Sequence, residues 1–211
     1  QESRGLGDVY KRQVRKRAKP SREADAPFEI APEDRAALLQ LARATIAYYL
    51  QHHRTARAED LGVPITDGMR RLAGGFVTLH KHGQLRGCIG EIAPERELYR
   101  VVHDQALNAA FRDPRFPPLQ ADELDEVDIE ISVLTPPQPV ASWQEIEVGR
   151  HGVILQKSGR SAVFLPQVAP EQGWDRETML THLSMKAGLP PDAWREGARF
   201  EVFEAIVFGE R

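Results

Sequence analysis

Two glycines enclose a cysteine in the stretch Leu85-Arg86-Gly87-Cys88-Ile89-Gly90, and the residues just before it indicate how it folds. Residues 75–80 (Gly-Phe-Val-Thr-Leu-His) are rich in the β-branched and aromatic side chains of strands, and residues 81–84 (Lys-His-Gly-Gln) are typical of a turn. The pattern predicts a β-hairpin whose second strand carries Cys88. Glycines inside so short a strand usually mark a bulge, or the close approach of a ligand or another backbone segment.

Three segments away from the hairpin have the apolar spacing of three and four residues that is typical of amphipathic helices. The first is predicted over residues 32–52 and begins with a proline and two acidic residues. The second is expected to open at Pro94 and to stop at Asp113, because a residue that precedes proline disfavours the helical backbone. The third follows the N-cap residue Asp175 and ends at Gly188.

Three further strand regions are predicted in the second half of the chain. Residues 127–134 alternate between apolar and polar side chains, which predicts a strand with one buried face. Residues 153–155 and 162–165 are expected to form a second hairpin, and residues 200–208 one closing apolar strand. Hairpins outnumber crossover connections, so the predicted fold class is α+β, with a mixed, largely antiparallel sheet and flanking helices.

The composition predicts a soluble, cytoplasmic protein. The 211 residues suit one domain or two intimately packed halves, the single cysteine cannot form an intrachain disulfide, and no stretch approaches the roughly 18 apolar residues of a membrane span. The net charge is −3, but residues 1–22 hold eight basic and two acidic residues, so the rest of the chain is acidic. Because nucleic-acid binding draws its affinity from basic groups that neutralise phosphates, an extended nucleic-acid surface is not expected.

The first residues are not expected to belong to the folded domain. Residues 8–13 (Asp-Val-Tyr-Lys-Arg-Gln) match what a transposon end used in preparing sequencing libraries encodes, so residues 1–13 are interpreted as an adapter-derived leader. Residues 14–27 are basic and lack apolar periodicity, which predicts a disordered tail. The folded domain is therefore predicted to span residues 28–211.

Arg86 and Cys88 are the first candidate site residues. In a regular strand they share a face, and a neighbouring guanidinium would favour the thiolate and make Cys88 a nucleophile. The alternative is that Cys88 is a small core residue, the usual position of a free cysteine. Gly87 and Gly90 are candidate binding residues because, without side chains, they would admit a ligand to the backbone.

Glu130, Ser132 and His80 complete the set of candidates. If the strand of residues 127–134 neighbours the Cys88 strand, Glu130 would face Arg86 across a pocket, and would hold its guanidinium or act as a general base. Ser132 lies on the same strand face as Glu130. The alternative is a half-solvated strand with ordinary polar residues facing outward. His80 is a candidate titrating group on the hairpin, although an exposed histidine beside a turn gives the same pattern.

The sequence predicts neither a metal site nor a cofactor. The histidines lack a third ligand at a helix or turn spacing, and the chain has no paired cysteines and no H-E-x-x-H motif. The glycine-rich phosphate loops of dinucleotide and P-loop sites and the G-x-S-x-G motif of serine hydrolases are also missing.

Residues 85–90 resemble the signature hexapeptide of the AMMECR family, known in prokaryotes as protein A of the AmmeMemoRadiSam system. Further segments resemble family blocks in the family order: residues 113–116, 129–134, 164–168, 171–175 and 186–189. Together these segments cover about residues 28–208. Ser184 stands where many relatives have a second cysteine, so a mechanism that needs two thiols is not expected here.

The resemblance implies an α+β fold in two subdomains with a cleft between them, and two partners, a Memo-type protein and a radical-SAM enzyme. It implies no specific reaction. We therefore expect an accessory component of a radical-SAM-linked modification system that binds or modifies a substrate in a cleft lined by Arg86, Cys88 and Glu130, with Arg86 anchoring an anionic group. The alternative function is a non-catalytic protein- or nucleic-acid-binding module in which Cys88 is a core residue.

Overall fold

The computed structural model describes residues 28–210. The interpretations of residues 1–13 as a leader and of residues 14–27 as a disordered tail lie outside the described residues. The described chain divides into two units, one made of residues 28–134 and 206–210 and the other of residues 135–205. They are called the first and the second unit.

Eight strands and four α-helices occur within the described residues, and each is numbered in chain order. The strands are β1 (Gly75–Lys81), β2 (Gln84–Glu91), β3 (Val127–Leu134), β4 (Gln138–Val140), β5 (Gly152–Lys157), β6 (Arg160–Phe164), β7 (Arg199–Phe203) and β8 (Ala205–Gly209). The helices are α1 (Pro32–His52), α2 (Leu98–Phe111), α3 (Val168–Gln172) and α4 (Arg176–Lys186). The predicted α+β class is confirmed. Within residues 28–210, no helix combines the length and the apolar character needed to cross a bilayer.

The first unit contains a four-stranded sheet in the order β2-β1-β3-β8. The predicted hairpin is confirmed: β1 and β2 pair antiparallel around a two-residue turn in which His82 and Gly83 both have positive φ, at 52° and 76°. Because glycine adopts this backbone without strain, the sequence His-Gly suits a tight turn that matches the twist of the strands. β3 pairs antiparallel with the other edge of β1, as its alternating sequence allows.

Helices α1 and α2 supply the other half of the first unit's core. Their buried residues Leu38, Leu41, Leu98 and Val102 belong to one cluster with the inward-facing strand residues of β1 and β3, which are Val77, Leu79, Ile129 and Ile131. The polar side chains of the same strands lie on the opposite face of the sheet. The candidate site is therefore on a face that the core does not use.

Helix α1 has the predicted bounds, but α2 begins at Leu98, four residues after the predicted start at Pro94. The residues in between are not helical. Glu97 forms a β-bridge with Leu72, and the Leu98 N–H donates to the carbonyl of Arg71. These tertiary hydrogen bonds satisfy the backbone there, so the proline does not start a helix.

The second unit has a sheet in the order β4-β7-β5-β6, with α3 and α4 in the same unit. The β5–β6 hairpin is confirmed, and Asp175 caps α4 as predicted by accepting from the Thr178 N–H at 2.8 Å. The single strand predicted over residues 200–208 is wrong. It is divided at Glu204 into β7, which pairs with β4 and β5, and β8, which belongs to the first unit's sheet.

Candidate functional site

A row of three side chains crosses the polar face of the first unit's sheet. Thr78 on β1 is the register partner of Cys88 on β2 and also of Glu130 on β3. Strand β1 therefore lies between the strands of Cys88 and Glu130, which are not neighbours. Two strand spacings put the backbones of Cys88 and Glu130 roughly 10 Å apart. We call Cys88, Thr78 and Glu130 the polar row.

Other predicted residues lie on the same face as the polar row. Gly90 and Ser132 are the two register partners of Phe76, and His80 is paired with Asp128. The alternation of side chains along strands places these residues beside Thr78 on one face. Thr78 is buried, whereas Cys88, Glu130, Ser132 and His80 are half-buried, so the face keeps limited contact with solvent.

The two glycines of the hexapeptide are in close contact with other parts of the first unit. A Cβ at Gly87 would clash with the backbone carbonyl oxygen of Ala109 in α2, on the core side of the sheet. A Cβ at Gly90 would clash with the ring of Phe76 and the carbonyl oxygen of Gly75. The absence of a side chain at both positions is thus explained by packing within the protein.

The Arg86 side chain is held by Glu123 and not, as the sequence suggested, by Glu130. Arg86 is the extra residue of a bulge in β2, where the register with β1 shifts. Its Nε and Nη2 donate to the Glu123 carboxylate at 3.1 and 2.8 Å, and both side chains are largely buried, with 11% and 16% exposed. The hydrogen bonds from Arg86 are the main reason that the pKa of Glu123 falls to about 2.

The backbone of Cys88 is clamped by Asp113 and Arg115. On β2, the edge strand, the Cys88 N–H donates to the Asp113 carboxylate at 2.9 Å, and Arg115 Nη2 donates to the Cys88 carbonyl at 3.1 Å. Arg115 also donates to Asp113 through Nε and Nη2, at 3.0 and 2.8 Å. The pair supplies the hydrogen bonds that a further strand would make, which fixes Cys88 and blocks this part of the edge.

The environment of the Cys88 thiol opposes ionisation. Thr78 Oγ1 donates to Cys88 Sγ at 3.2 Å and the nearby Arg115 also favours the thiolate, but burial dominates and raises the pKa of the thiol above its ordinary value. Activation by Arg86 was one of the two interpretations of the sequence, and the structure instead directs the Arg86 guanidinium to the Glu123 carboxylate. Burial therefore favours the neutral thiol over the thiolate.

We expect alkylation of Cys88 in the folded protein to be slow at pH 7 and to accelerate with an apparent pKa above that of free cysteine. Only the thiolate is nucleophilic, and burial disfavours it. The rate is measured against pH by intact mass, which is unambiguous because Cys88 is the only cysteine in the sequence.

Two variants serve as matched controls for this measurement. Thr78→Val removes the hydrogen bond that favours the thiolate and should raise the apparent pKa further, whereas Arg86→Ala should leave it unchanged. Rapid labelling at pH 7 with an apparent pKa below the ordinary value would contradict the structural account of Cys88.

Glu130 differs from the other charged groups around the site. Arg86, Lys81 and Asp113 all have ion-pair partners, but the Glu130 carboxylate makes no hydrogen bond or ion pair with any part of the chain that the structure describes. A half-buried carboxylate is poorly solvated and unpaired, so it is available to accept hydrogen bonds from a ligand. Among residues 28–210, no three acidic, histidine or cysteine side chains are arranged to hold a metal ion.

Sequence reasoning missed Thr78, Asp113, Arg115 and Glu123. Asp113 and Pro114 were interpreted as a helix stop, and α2 does end nearby, at Phe111. This interpretation gave no indication that the Asp113 carboxylate contacts the Cys88 backbone. Glu123 lies in a 3-10 helix, residues 121–126, that has no apolar periodicity to attract attention. The sequence does contain one signal for the pair of Asp113 and Arg115. In the succession Asp-Pro-Arg, a carboxylate is followed two residues later by the arginine that forms an ion pair with it.

Comparison with known proteins gives concordant results. The AMMECR1 family model matches residues 39–208. A protein of Methanosarcina barkeri is 41% identical over 184 residues, covering 85% of this chain and 91% of its own, and a protein of Methanopyrus kandleri is 42% identical over 183 residues, covering 82% and 86%. The crystal structure of an uncharacterised protein from Pyrococcus horikoshii superposes with a TM-score of 0.67 at 37% identity, covering 82% of this chain and 90% of that one.

Proposed function

Because the chain belongs to the AMMECR1 family, we propose that it is the substrate-binding accessory component of a radical-SAM-linked modification system of the AmmeMemoRadiSam type. Its partners in this proposal are a Memo-type protein and a radical-SAM enzyme. The ligand binds on the polar face of the first unit's sheet, at the polar row. The family resemblance suggests the system, and the geometry of the polar row suggests the role.

The observation that carries the binding role is the unpaired carboxylate of Glu130. It lies on the same sheet face as Thr78 and Cys88, on a strand whose backbone is fixed by pairing with β1. A ligand that donates a hydrogen bond to this carboxylate would satisfy a group that the described protein leaves unpaired. Charge-assisted hydrogen bonds of this kind contribute about 1.5–3 kcal/mol each.

The other residues have supporting roles in this proposal. Ser132 and His80 border the polar row and offer further polar contacts, while Cys88 contributes a neutral, polarisable wall. In this proposal Arg86 positions β2 and does not anchor an anion, because its Nε and Nη2 are hydrogen-bonded to the Glu123 carboxylate. Catalysis by a Cys88 thiolate is disfavoured by the burial that raises its pKa.

One observation favours a second candidate function, a non-catalytic module for binding a protein. The thiol of Cys88 accepts a hydrogen bond from Thr78 and its backbone is clamped on both polar atoms, as expected for a residue with a packing role. In this case the polar face needs no small-molecule ligand. The two functions differ in whether Glu130 contacts a substrate.

The experiment is native affinity purification of the tagged chain from its own host, with mass spectrometry of co-purified proteins and small molecules. We expect the two system partners, and a small molecule that is depleted several-fold by Glu130→Gln, since glutamine keeps an acceptor oxygen but lacks the charge that strengthens the hydrogen bond. Glu95→Gln, an exposed glutamate in the same unit, is the matched control and should change neither. Recovery of neither partner would overturn the assignment to the system, and an unchanged small-molecule yield in Glu130→Gln would favour the protein-binding module.

A further inference from the structure

A group of aromatic side chains surrounds one lysine in the second unit. Lys186 lies in the last turn of α4, and His182 lies one turn earlier. The Lys186 Nζ lies 4.8 Å from the ring centroid of Phe164, at the end of β6. Trp174 is stacked on His182 at 4.1 Å with an interplanar angle of 8°, and its ring centroid is 5.8 Å from that of Phe164. We call these four residues the aromatic–lysine cluster.

The charge of Lys186 has no counter-charge in the described part of the chain. Its Nζ donates to the carbonyl oxygen of Val163 at 3.0 Å, and no carboxylate lies within ion-pair distance. Lys81, in contrast, pairs with two carboxylates, those of Glu123 and Glu126. The side chain of Lys186 is partly buried, and this burial lowers the pKa of its ammonium group.

An ammonium group has three donors, and Val163 uses one of them. The Phe164 ring contributes only a weak attraction to the cation. Taking a charge out of water without a partner is costly, so this arrangement is favourable when an anion completes it. A single lysine balances one negative charge, and the neighbouring rings present apolar surface that a strongly hydrated, multiply charged phosphate would not use.

We propose that the aromatic–lysine cluster binds a monoanion with an apolar or aromatic body, in chemical terms an organic carboxylate. The carboxylate contacts Lys186 Nζ, and the body of the ligand lies against the rings of Phe164 and Trp174. All of these residues belong to the second unit, whereas the polar row belongs to the first, and the proposal does not depend on the function proposed for that row.

The test is competitive acetylation of lysines with acetic anhydride on the full chain, followed site by site with mass spectrometry. Three probes are compared at equal ionic strength and millimolar concentration: benzoate, acetate and benzamide. We expect benzoate to slow acetylation of Lys186 several-fold. Acetate, which lacks the ring, and benzamide, which lacks the charge, should have much smaller effects. Lys81 and Lys157 are internal controls whose rates should not change.

A variant isolates the contribution of the rings. Phe164→Leu keeps Lys186 and an apolar side chain but removes an aromatic surface, so protection by benzoate should fall towards that given by acetate. Lys157→Met removes a lysine that donates to the carbonyls of Ala193 and Glu196, and should leave the protection of Lys186 intact. No protection of Lys186, or equal protection of all three lysines by benzoate, would overturn the proposal, as would equal protection by acetate and benzoate.

Discussion

Replacing Gly87 by alanine is expected to lower the free energy of unfolding by about 3 kcal/mol, since a buried methyl group would be forced against backbone. The new Cβ would clash with the carbonyl oxygen of Ala109, which lies inside α2. This oxygen cannot rotate away as a side chain would. Relief requires α2 to move off the sheet, which would weaken the packing of Val102 and Ala106 in the core.

The measurement is denaturant-induced unfolding followed by circular dichroism, with Gly75→Ala as the matched control. Gly75 is also in the β1–β2 hairpin, but a Cβ there would lie 3.2 Å from the Ser132 carbonyl oxygen and at least 3.7 Å from the next atoms, so a small adjustment suffices. We expect the control to cost less than about 1 kcal/mol. Equal stability of the two variants would show that α2 does not press on the hexapeptide strand.

This packing changes the interpretation of the hexapeptide. From sequence, the two glycines suggested a ligand near the backbone, which is one of the two explanations that such glycines allow. The structure supports the second explanation, close packing within the protein, because the backbone of α2 lies beside Gly87 and the ring of Phe76 lies beside Gly90. A sequence gives no means of choosing between them, because both neighbours come from distant parts of the chain.

The local elements were predictable because their signals are local. The turn at His82 and Gly83, the alternation along β3 and the periodicity of α1 each depend on residues within a few positions of one another, and all three are confirmed. The error at residues 200–208 has a different origin. A continuous apolar run does not indicate where a chain passes from one sheet to another, and here it does so at Glu204.

The candidate site was only partly predictable, because it depends on strand order. Glu130 would face Arg86 only if their strands were neighbours, but β1 lies between these strands, so the residue between Cys88 and Glu130 is Thr78. The bulge at Arg86 then directs that side chain to Glu123, which is 37 residues away in sequence. No periodicity in the sequence carries information on either event. The structure places four of the candidate residues, Cys88, Glu130, Ser132 and His80, on one face of this sheet.

Replacing Asp113 by alanine is expected to have the largest effect, a loss of about 4 kcal/mol in the free energy of unfolding. The Asp113 side chain is 1% exposed and accepts from the Cys88 N–H and from Arg115. Removing the carboxylate takes this acceptor away from the Cys88 N–H and from the Arg115 guanidinium. Asp113→Asn keeps an acceptor oxygen but not the charge, so its cost should be roughly half as large.

The pH dependence of the free energy of unfolding separates the contribution of the Asp113 charge from that of its shape. Although burial alone would raise the pKa of Asp113, the hydrogen bonds from Arg115 and from the Cys88 N–H lower it to about 2, against 3.8 for an ordinary aspartate. Because the pKa is lower in the folded state, the ionised carboxylate stabilises the fold at every pH above the pKa of the unfolded state. This contribution is lost as the pH falls towards 2. The shift corresponds to about 2 kcal/mol.

The wild type should therefore lose its advantage over Asp113→Asn as the pH is lowered from 5 to about 2, because only the wild type has this carboxylate to protonate. Other acidic groups, including Glu123, titrate in both proteins and cancel in the difference. Asp122→Asn, an exposed aspartate in the same unit, should track the wild type at every pH. A difference between wild type and Asp113→Asn that stays constant down to pH 2 would mean that the clamp on Cys88 acts through shape and hydrogen bonding alone, without a contribution from charge.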